Sequence, residues 1–281
     1  MASDPIAEVV ARALAEDLGP GDVTSSATVP EDARARARVV QKQEGVVFGL
    51  AAVAEALRQC GVEEVDNLVV EGRWRAQVPA DVLIASGPAR GILAAERTAL
   101  NFLGHLSGIA TLTARFVEAV DGTGAAILDT RKTTPGLRAL EKAAVKACGG
   151  RNHRLGLHDA VLIKENHIAI AGGLAEAVRA ARAAYPDLAV EVECGDLDEV
   201  SEALEVGADL LLLDNMGGDD LRAAVRMRDQ AAGPGPSLEA SGGVTLQSVR
   251  AIAETGVDLI SVGALTHSAP SLDFSLLVEP A

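Results

Sequence analysis

Leu210-Leu-Leu-Leu-Asp214 is a run of four leucines closed by a carboxylate. It is too short for a helix and apolar at every position, as a parallel strand buried on both faces would be. The same pattern recurs on both sides of it. Ala125 to Leu128, Ala160 to Ile163, Ala189 to Val192, Leu238 to Ala240 and Leu259 to Val262 are further strand-length runs, separated by alanine-rich stretches long enough for helical crossovers. Each run is followed by a polar or backbone-exposing residue: Asp129, Lys164, Glu193, Asp214, Ser241 and Gly263. Any strand can end on a polar residue because loops are wet. Six in equivalent places instead predict a row of functional groups at the carboxyl edge, where an α/β barrel builds its active site. A doubly wound open sheet shows the same alternation; the barrel is the preferred expectation.

Upstream of Ala125 the texture is α+β. Asp4 before Pro5 predicts a helix start, with Ile6, Val9, Val10, Ala13 and Leu14 at helical spacing and Gly19-Pro20-Gly21 as the stop. Arg34-Ala-Arg-Ala-Arg38 alternates with period two and runs through Val39-Val40 towards Val46 to Phe48, which predicts a strand pair. Ala51 to Leu57 reads as helix, and Leu68 to Ile84 as short strand pieces broken by Gly72 and Pro79. Leu93 to Leu106 and Ala110 to Val120 read as two helices.

A chain of 281 residues has room for two domains with sizeable cores, and its 48% apolar and 23% charged residues exclude a disordered or fibrous protein. The 25 basic and 40 acidic residues leave a net charge of −15, so neither nucleic acid nor a membrane surface is an expected partner. Cys60, Cys148 and Cys194 are widely spaced and odd in number, which supports neither a disulfide framework nor a zinc site. The acidic N-terminal stretch does not read as a signal peptide, and no apolar run approaches the length of a membrane span. A cytoplasmic protein is expected.

Within this acidic chain, the 39 residues from Asp129 to His167 hold eight basic residues against four acidic ones, a local charge of +4. Arg138, Glu141, Lys142 and Lys146 have the spacing of a solvated helix face. Arg131 and Lys132, beside Thr130, instead lie just past a strand end, and Lys164 ends another. Cations converging on one barrel mouth suit a small polyanion, with arginine fitted to bidentate carboxylate recognition. Glu193 and Asp214 could accept from sugar hydroxyls, hold Mg²⁺ or pair with the lysines. The small residues of Ser241-Gly242-Gly243 and Gly263-Ala264 could cradle a phosphate on backbone amides. Cys194 reads as a packing residue, and His105 and His267 as structural histidines.

The run Asp129-Thr-Arg-Lys-Thr-Thr-Pro-Gly-Leu-Arg138, with Leu140-Glu-Lys142, Gly149-Gly-Arg-Asn-His-Arg154 and Ile163-Lys-Glu-Asn-His167, closely resembles the quinolinate phosphoribosyltransferase family. The likeness continues through Glu16-Asp-Leu-Gly-Pro-Gly-Asp-Val-Thr24, Glu96-Arg-Thr-Ala-Leu-Asn-Phe-Leu103, Leu106-Ser-Gly-Ile-Ala-Thr111, Leu213-Asp-Asn-Met216, Glu239-Ala-Ser-Gly-Gly-Val244 and Thr266-His-Ser-Ala-Pro270, covering essentially the whole chain. Cys148 departs from the family's glycine run and leaves the charged positions intact.

The resemblance implies an N-terminal α/β sandwich over residues 1–108, joined by the tail 266–281, and an incomplete, TIM-like α/β barrel over 109–265. It implies a homodimer with its sites at the interface. The implied reaction joins quinolinate to phosphoribosyl pyrophosphate, giving nicotinate mononucleotide, pyrophosphate and CO₂, with Mg²⁺, in NAD biosynthesis. Carried over by position, Arg131, His153, Arg154 and Lys164 would hold the quinolinate carboxylates, with Arg97 of the partner subunit reaching in. Thr130 would belong to the same substrate site. Lys132 and Lys164 would face pyrophosphate and ribose, Glu193 and Asp214 the ribose hydroxyls and metal. Ser241, Gly242, Gly243, Val262, Gly263 and Ala264 would hold the phosphate. Two rival readings remain on the same residues: a paralogue that binds a phosphosugar without chemistry, and a Schiff-base aldolase using Lys164.

Overall fold

The computed structural model describes residues 5–231 and 235–281, so the Asp4 helix start lies outside the described residues. In chain order the elements are α1 Pro5–Leu18, α2 Val23–Thr28, β1 Arg34–Gln41, β2 Gly45–Val46, α3 Leu50–Gln59, β3 Glu64–Asn67, β4 Trp74–Arg75, β5 Ala80–Pro88, α4 Ala89–Ala119, β6 Ala126–Leu128 and α5 Arg138–Ala147. They continue as β7 Val161–Ile163, α6 Glu165–Ala171, α7 Leu174–Ala184, β8 Val190–Cys194, α8 Leu197–Glu205, β9 Leu210–Asp214, α9 Gly218–Gln230, β10 Ser237–Ser241, α10 Val249–Ala253, β11 Leu259–Ser261, α11 Ala264–His267 and β12 Phe274–Pro280. The chain forms two compact units, one of residues 1–114, 133–148 and 268–281 and the other of 115–132 and 149–267. Residues 133–148, read above as part of the barrel stretch, thus pack within the first unit.

The first unit is an α/β sandwich on a four-stranded sheet of order β12-β1-β5-β3. The Arg-Ala alternation of β1 works as period two requires: Ala35, Ala37 and Val39 are buried, while Arg34 and Arg36 are exposed. The partners of β1 differ from the expected pair with 46–48. β1 lies antiparallel between β5 and β12, and β2 pairs with β4 instead. Val10 and Leu14 of α1, Leu50 and Leu57 of α3 and Ile92 and Leu103 of α4 close one core with Val39 and Leu83 of the sheet.

The two expected helices of residues 93–120 are one helix of 31 residues, α4. Gly104, within the first expected helix, and Gly108, in the gap expected between the two, both lie inside it. Their missing side chains let the backbone of Pro270 to Leu272 pass against the helix, and a Cβ on Gly108 would collide with the Pro270 carbonyl. A further correction concerns α5. Glu141 is 0% and Lys142 1% exposed, so the face read as solvated is partly core. Glu141 accepts from Thr134 N–H at 3.2 Å and meets Nε2 of His105 at 2.8 Å, which gives His105 a structural partner.

In the second unit all six expected strands form, all parallel, in the order β6-β11-β10-β9-β8-β7. From β7 to β11 the sheet follows chain order, and β6 then lies beside β11. No strand order reverses, as a doubly wound sheet would require. The seam between β6 and β7 is spanned in part by Arg151, whose N–H donates to Ile127 O at 2.8 Å and whose carbonyl accepts from Asp129 N–H at 3.1 Å. Six strands with such a seam make an incomplete α/β barrel. Helices α7, α8 and α10 pack on its strands, which buries Val192, Leu211, Leu213 and Ile260 completely.

Candidate active site

The carboxyl ends of these strands surround a cleft of about 460 Å³ within the second unit. Thr130, Arg131 and Lys132 follow β6, His153 and Arg154 precede β7, and Lys164 ends β7. Glu193 comes from β8, Asp214 and Asn215 from the end of β9, Ser241, Gly242 and Gly243 from β10 and its turn, and Ser261 from β11. The cleft therefore gathers five basic side chains, counting His153, and brings Glu193 and Asp214 to the same wall. Arg97 is not among its lining residues; it is exposed on α4 in the first unit.

Each group is held by backbone bonds near its root. Buried Asp129 accepts from His153 N–H at 2.9 Å, which ties the segment before β7 to the end of β6. Lys132 N–H donates to Thr130 Oγ1 at 3.1 Å, and Thr266 Oγ1 donates to Lys132 O at 2.8 Å. The N–H of Lys164 donates to His167 Nδ1 at 3.0 Å, fixing the turn into α6. Arg154 Nη1 donates to Ala160 O at 3.2 Å.

The electrostatics favour an anion. Burial, and next the charge of Arg131, pull the Arg154 guanidinium below its ordinary range. Two guanidiniums that disfavour one another become compatible when a carboxylate lies between them. Lys164 is ion-paired with Glu193, so cation and anion hold each other at the wall. Asp214 accepts from Asn215 Nδ2 at 2.7 Å.

The turn after β10 is shaped by a single clash. Gly242 has φ +102°, and a Cβ there would strike the Asn215 side chain. Asn215 itself is left-handed, with φ 56°, and its N–H donates to Ser241 O at 2.8 Å. Only glycine lets the β9 and β10 ends approach this closely, and Gly242 and Gly243 stand exposed in the cleft lining. The second glycine segment is less free. Val262 is buried and its N–H is taken by Leu128 O at 2.9 Å. Gly263 keeps space for Lys132, whose Cδ would lie 3.3 Å from a Cβ at that position. Val262, Gly263 and Ala264 do not line the cleft.

Two residues that sequence reading passed over stand at the floor. Glu239 of β10 lines the cleft and is 0% exposed, and Glu191 of β8 is 5% exposed. His153 Nε2 lies 3.1 Å from Glu191 and 3.7 Å from Glu239. Burial, followed by the charge of Glu191, pushes the Glu239 carboxyl up to about 7. The signal was present in the strands: a glutamate inside an apolar run faces either solvent or a polar interior, and Glu191 shares the strand face of Glu193. Cys194 is buried and carries no such chemistry, since burial pushes its thiol up to about 12.

Comparison with known proteins bears on these features. The family description "Quinolinate phosphoribosyl transferase, C-terminal domain" matches residues 109–277, and the N-terminal domain of the same family matches 22–107. The chain is 46% identical over 276 residues to a Mycobacterium leprae protein named nicotinate-nucleotide pyrophosphorylase [carboxylating], covering 97% of both chains. A probable enzyme of the same name from Bacillus subtilis is 41% identical, over 93% of this chain and 89% of that one. The solved structure of the nicotinate-nucleotide pyrophosphorylase from Francisella tularensis superposes with a TM-score of 0.92 at 40% identity, covering 98% of this chain and 96% of the other.

Proposed function

This chain belongs to the quinolinate phosphoribosyl transferase family and joins quinolinate to phosphoribosyl pyrophosphate with loss of CO₂, and we propose that the cleft at the carboxyl ends of β6 to β11 carries out that transfer. The observation that supports this location is the meeting of Arg131, Lys132, His153, Arg154 and Lys164 with Glu193 and Asp214 in one cavity. Quinolinate is a dianion and its partner substrate carries several more charges, so a chain of net charge −15 needs fixed local cations to bind them.

Arg131, Arg154 and His153 take the two carboxylates and set the pyridine nitrogen towards the ribose, with Thr130 at the same wall. Lys132 and Lys164 face the pyrophosphate and ribose oxygens, and the turn Ser241 to Gly243 takes the 5-phosphate on backbone amides. Val262, Gly263 and Ala264 lie outside the cleft lining, so the phosphate rests on the Ser241 to Gly243 turn, with Gly263 leaving room for Lys132.

The bond from ribose C1 to the pyrophosphate oxygen breaks with its electron pair leaving on pyrophosphate. The oxocarbenium-like centre that results is stabilised by Glu193 and Asp214, and the pyridine nitrogen, held in line, forms the new C–N bond. Loss of the neighbouring carboxylate as CO₂ then leaves its electron pair at the ring carbon beside the cationic nitrogen, and a proton from water completes the product. Glu193 and Asp214 are hard oxygen donors of the kind that suit Mg²⁺, which when bound neutralises charge on the leaving pyrophosphate. Asp214 is the better placed of the two, because Glu193 is already paired with Lys164. That pairing also disfavours the Schiff-base reading, which needs a free amine.

Arg97 is exposed on α4 and outside the cleft lining; we assign it to the acceptor site of a second copy, so that each site of a homodimer receives Arg97 of the partner subunit. The test is pyrophosphate release with trapping of CO₂, comparing quinolinate, nicotinate and no acceptor. Equal amounts of both products with quinolinate alone are expected. Turnover with nicotinate in place of quinolinate overturns the acceptor assignment.

A further inference from the structure

Below the cations of the cleft, three side chains from separate parts of the barrel face one another. His153 before β7, Glu191 of β8 and Glu239 of β10 bring their nitrogen and oxygen atoms within 4.8 Å of one another. If both glutamates are ionised, the imidazole faces two buried charges, and an uncompensated buried carboxylate is costly. Glu239 is the one left uncompensated. Its nearer oxygen lies 3.7 Å from His153 Nε2, beyond hydrogen-bond reach, whereas Glu191 lies 3.1 Å from the same nitrogen. Two carboxylates are both acceptors and cannot serve each other; a carboxylic acid beside a carboxylate can, because the acid donates. Burial and the charge of Glu191 favour the acid form of Glu239 and outweigh the opposing influences of His153 and, after it, of the Ser261 hydroxyl.

A divalent cation is the other way to reconcile these groups. The three side chains supply three ligands, one short of a closed tetrahedral site. The strand neighbours of the two glutamates offer no fourth ligand: Leu162 is in register with Glu191 and Leu212 with Glu239. The surroundings therefore suit a shared proton better than a metal.

We propose that Glu239 is a positioning residue: it carries a proton that it donates to Glu191, so that Glu191 alone accepts from His153 Nε2–H and fixes the ring beneath the acceptor carboxylates. Glu239 acts through Glu191 and His153 in this arrangement. The inference rests on the reading of His153 as part of the quinolinate site.

The experiment compares the full-length enzyme with E239Q and E239M, two replacements of similar volume, and with H153A. Glutamine keeps a neutral donor towards Glu191 and methionine has none. The expected result is a quinolinate KM within about threefold of the parent for E239Q and raised about tenfold or more for E239M, with the KM for phosphoribosyl pyrophosphate unchanged in both. Equal impairment of E239Q and E239M overturns the proposal, because it shows that the ionised group itself is needed, as a charge or as a cation ligand. Equal retention in both also overturns it, because shape alone then suffices. H153A separates the two levels of the argument. An unchanged quinolinate KM in that variant sinks the reading of His153, whereas a raised KM in H153A with a normal one in E239M sinks the role of Glu239 alone.

Discussion

The backbone N–H of His153 donates to Oδ1 of Asp129 at 2.9 Å, joining residues 24 positions apart across the seam of the barrel. Asp129 is completely buried, so the bond cannot be replaced by water from the cleft. Asp129→Ala leaves an unmatched donor at the root of the His153–Arg154 segment and should cost about 1–3 kcal/mol of stability. The same change should raise the quinolinate KM more than that for phosphoribosyl pyrophosphate. Denaturant melts and steady-state kinetics on one preparation check both.

Gly242→Ala should separate phosphate binding from folding. Its φ of +102° and the Asn215 side chain both oppose a Cβ, at a cost of about 1–2 kcal/mol for the backbone alone. The expected outcome is a folded protein with a raised KM for phosphoribosyl pyrophosphate and near-normal quinolinate affinity once saturated with it. Retention of normal affinity for the phosphorylated substrate would remove this turn from the phosphate site.

Arg131→Lys keeps the charge and removes the planar fork. If the arginines mainly orient the acid, quinolinate KM should rise about tenfold or more while phosphoribosyl pyrophosphate binding stays nearly unchanged. Isothermal titration with each substrate distinguishes that result from an equal loss of both.

Glu239 makes stability depend on pH. Its folded carboxyl is raised from 4.5 to about 7, by burial first and by Glu191 second, with His153 and Ser261 acting in the opposite sense. Between those values the folded protein keeps a proton that the unfolded chain releases, so this group's contribution falls as pH rises from about 4.5 to about 7 and is level above that. The total is on the order of 3 kcal/mol, and Glu239→Gln should flatten it. Urea midpoints across this range, for parent and variant, give the comparison.

The thiols should be poor targets in the folded enzyme. Burial pushes Cys148 up to about 11 and is the main cause raising Cys194 to about 12, and it also raises half-buried Cys60. Iodoacetamide near neutral pH should leave activity intact, and mass spectrometry should find Cys148 and Cys194 unlabelled until denaturant is added. Rapid loss of activity with labelling at Cys194 would contradict this.

The barrel was legible because each strand is a short apolar run with one exposed functional end, and Lys164, Glu193 and Asp214 all line the cleft that those ends enclose. What failed shares one cause: local spacing does not say what lies across from a residue. Glu141 and Lys142 have the spacing of a solvated helix face, yet they are buried, because the turn at Thr134 and His105 on α4 supply Glu141 with partners from outside α5. The break expected between Leu106 and Ala110 does not occur, because Gly108 within it serves the segment 270–272, far along the chain. Glu191 and Glu239 were absorbed into their strands since a closed sheet's interior can be polar, which a pattern of apolar runs does not reveal.

The pairing of β1 with β12 sets the order in which a ribosome can complete this protein. Residues 34–41 are synthesised early, but one edge of their strand is covered only when 274–280 have been made. The six barrel strands all lie between them in the chain. During synthesis the first sheet must therefore wait with an open edge, the kind of surface that invites pairing with a neighbouring chain, until the whole of the second unit has left the exit tunnel.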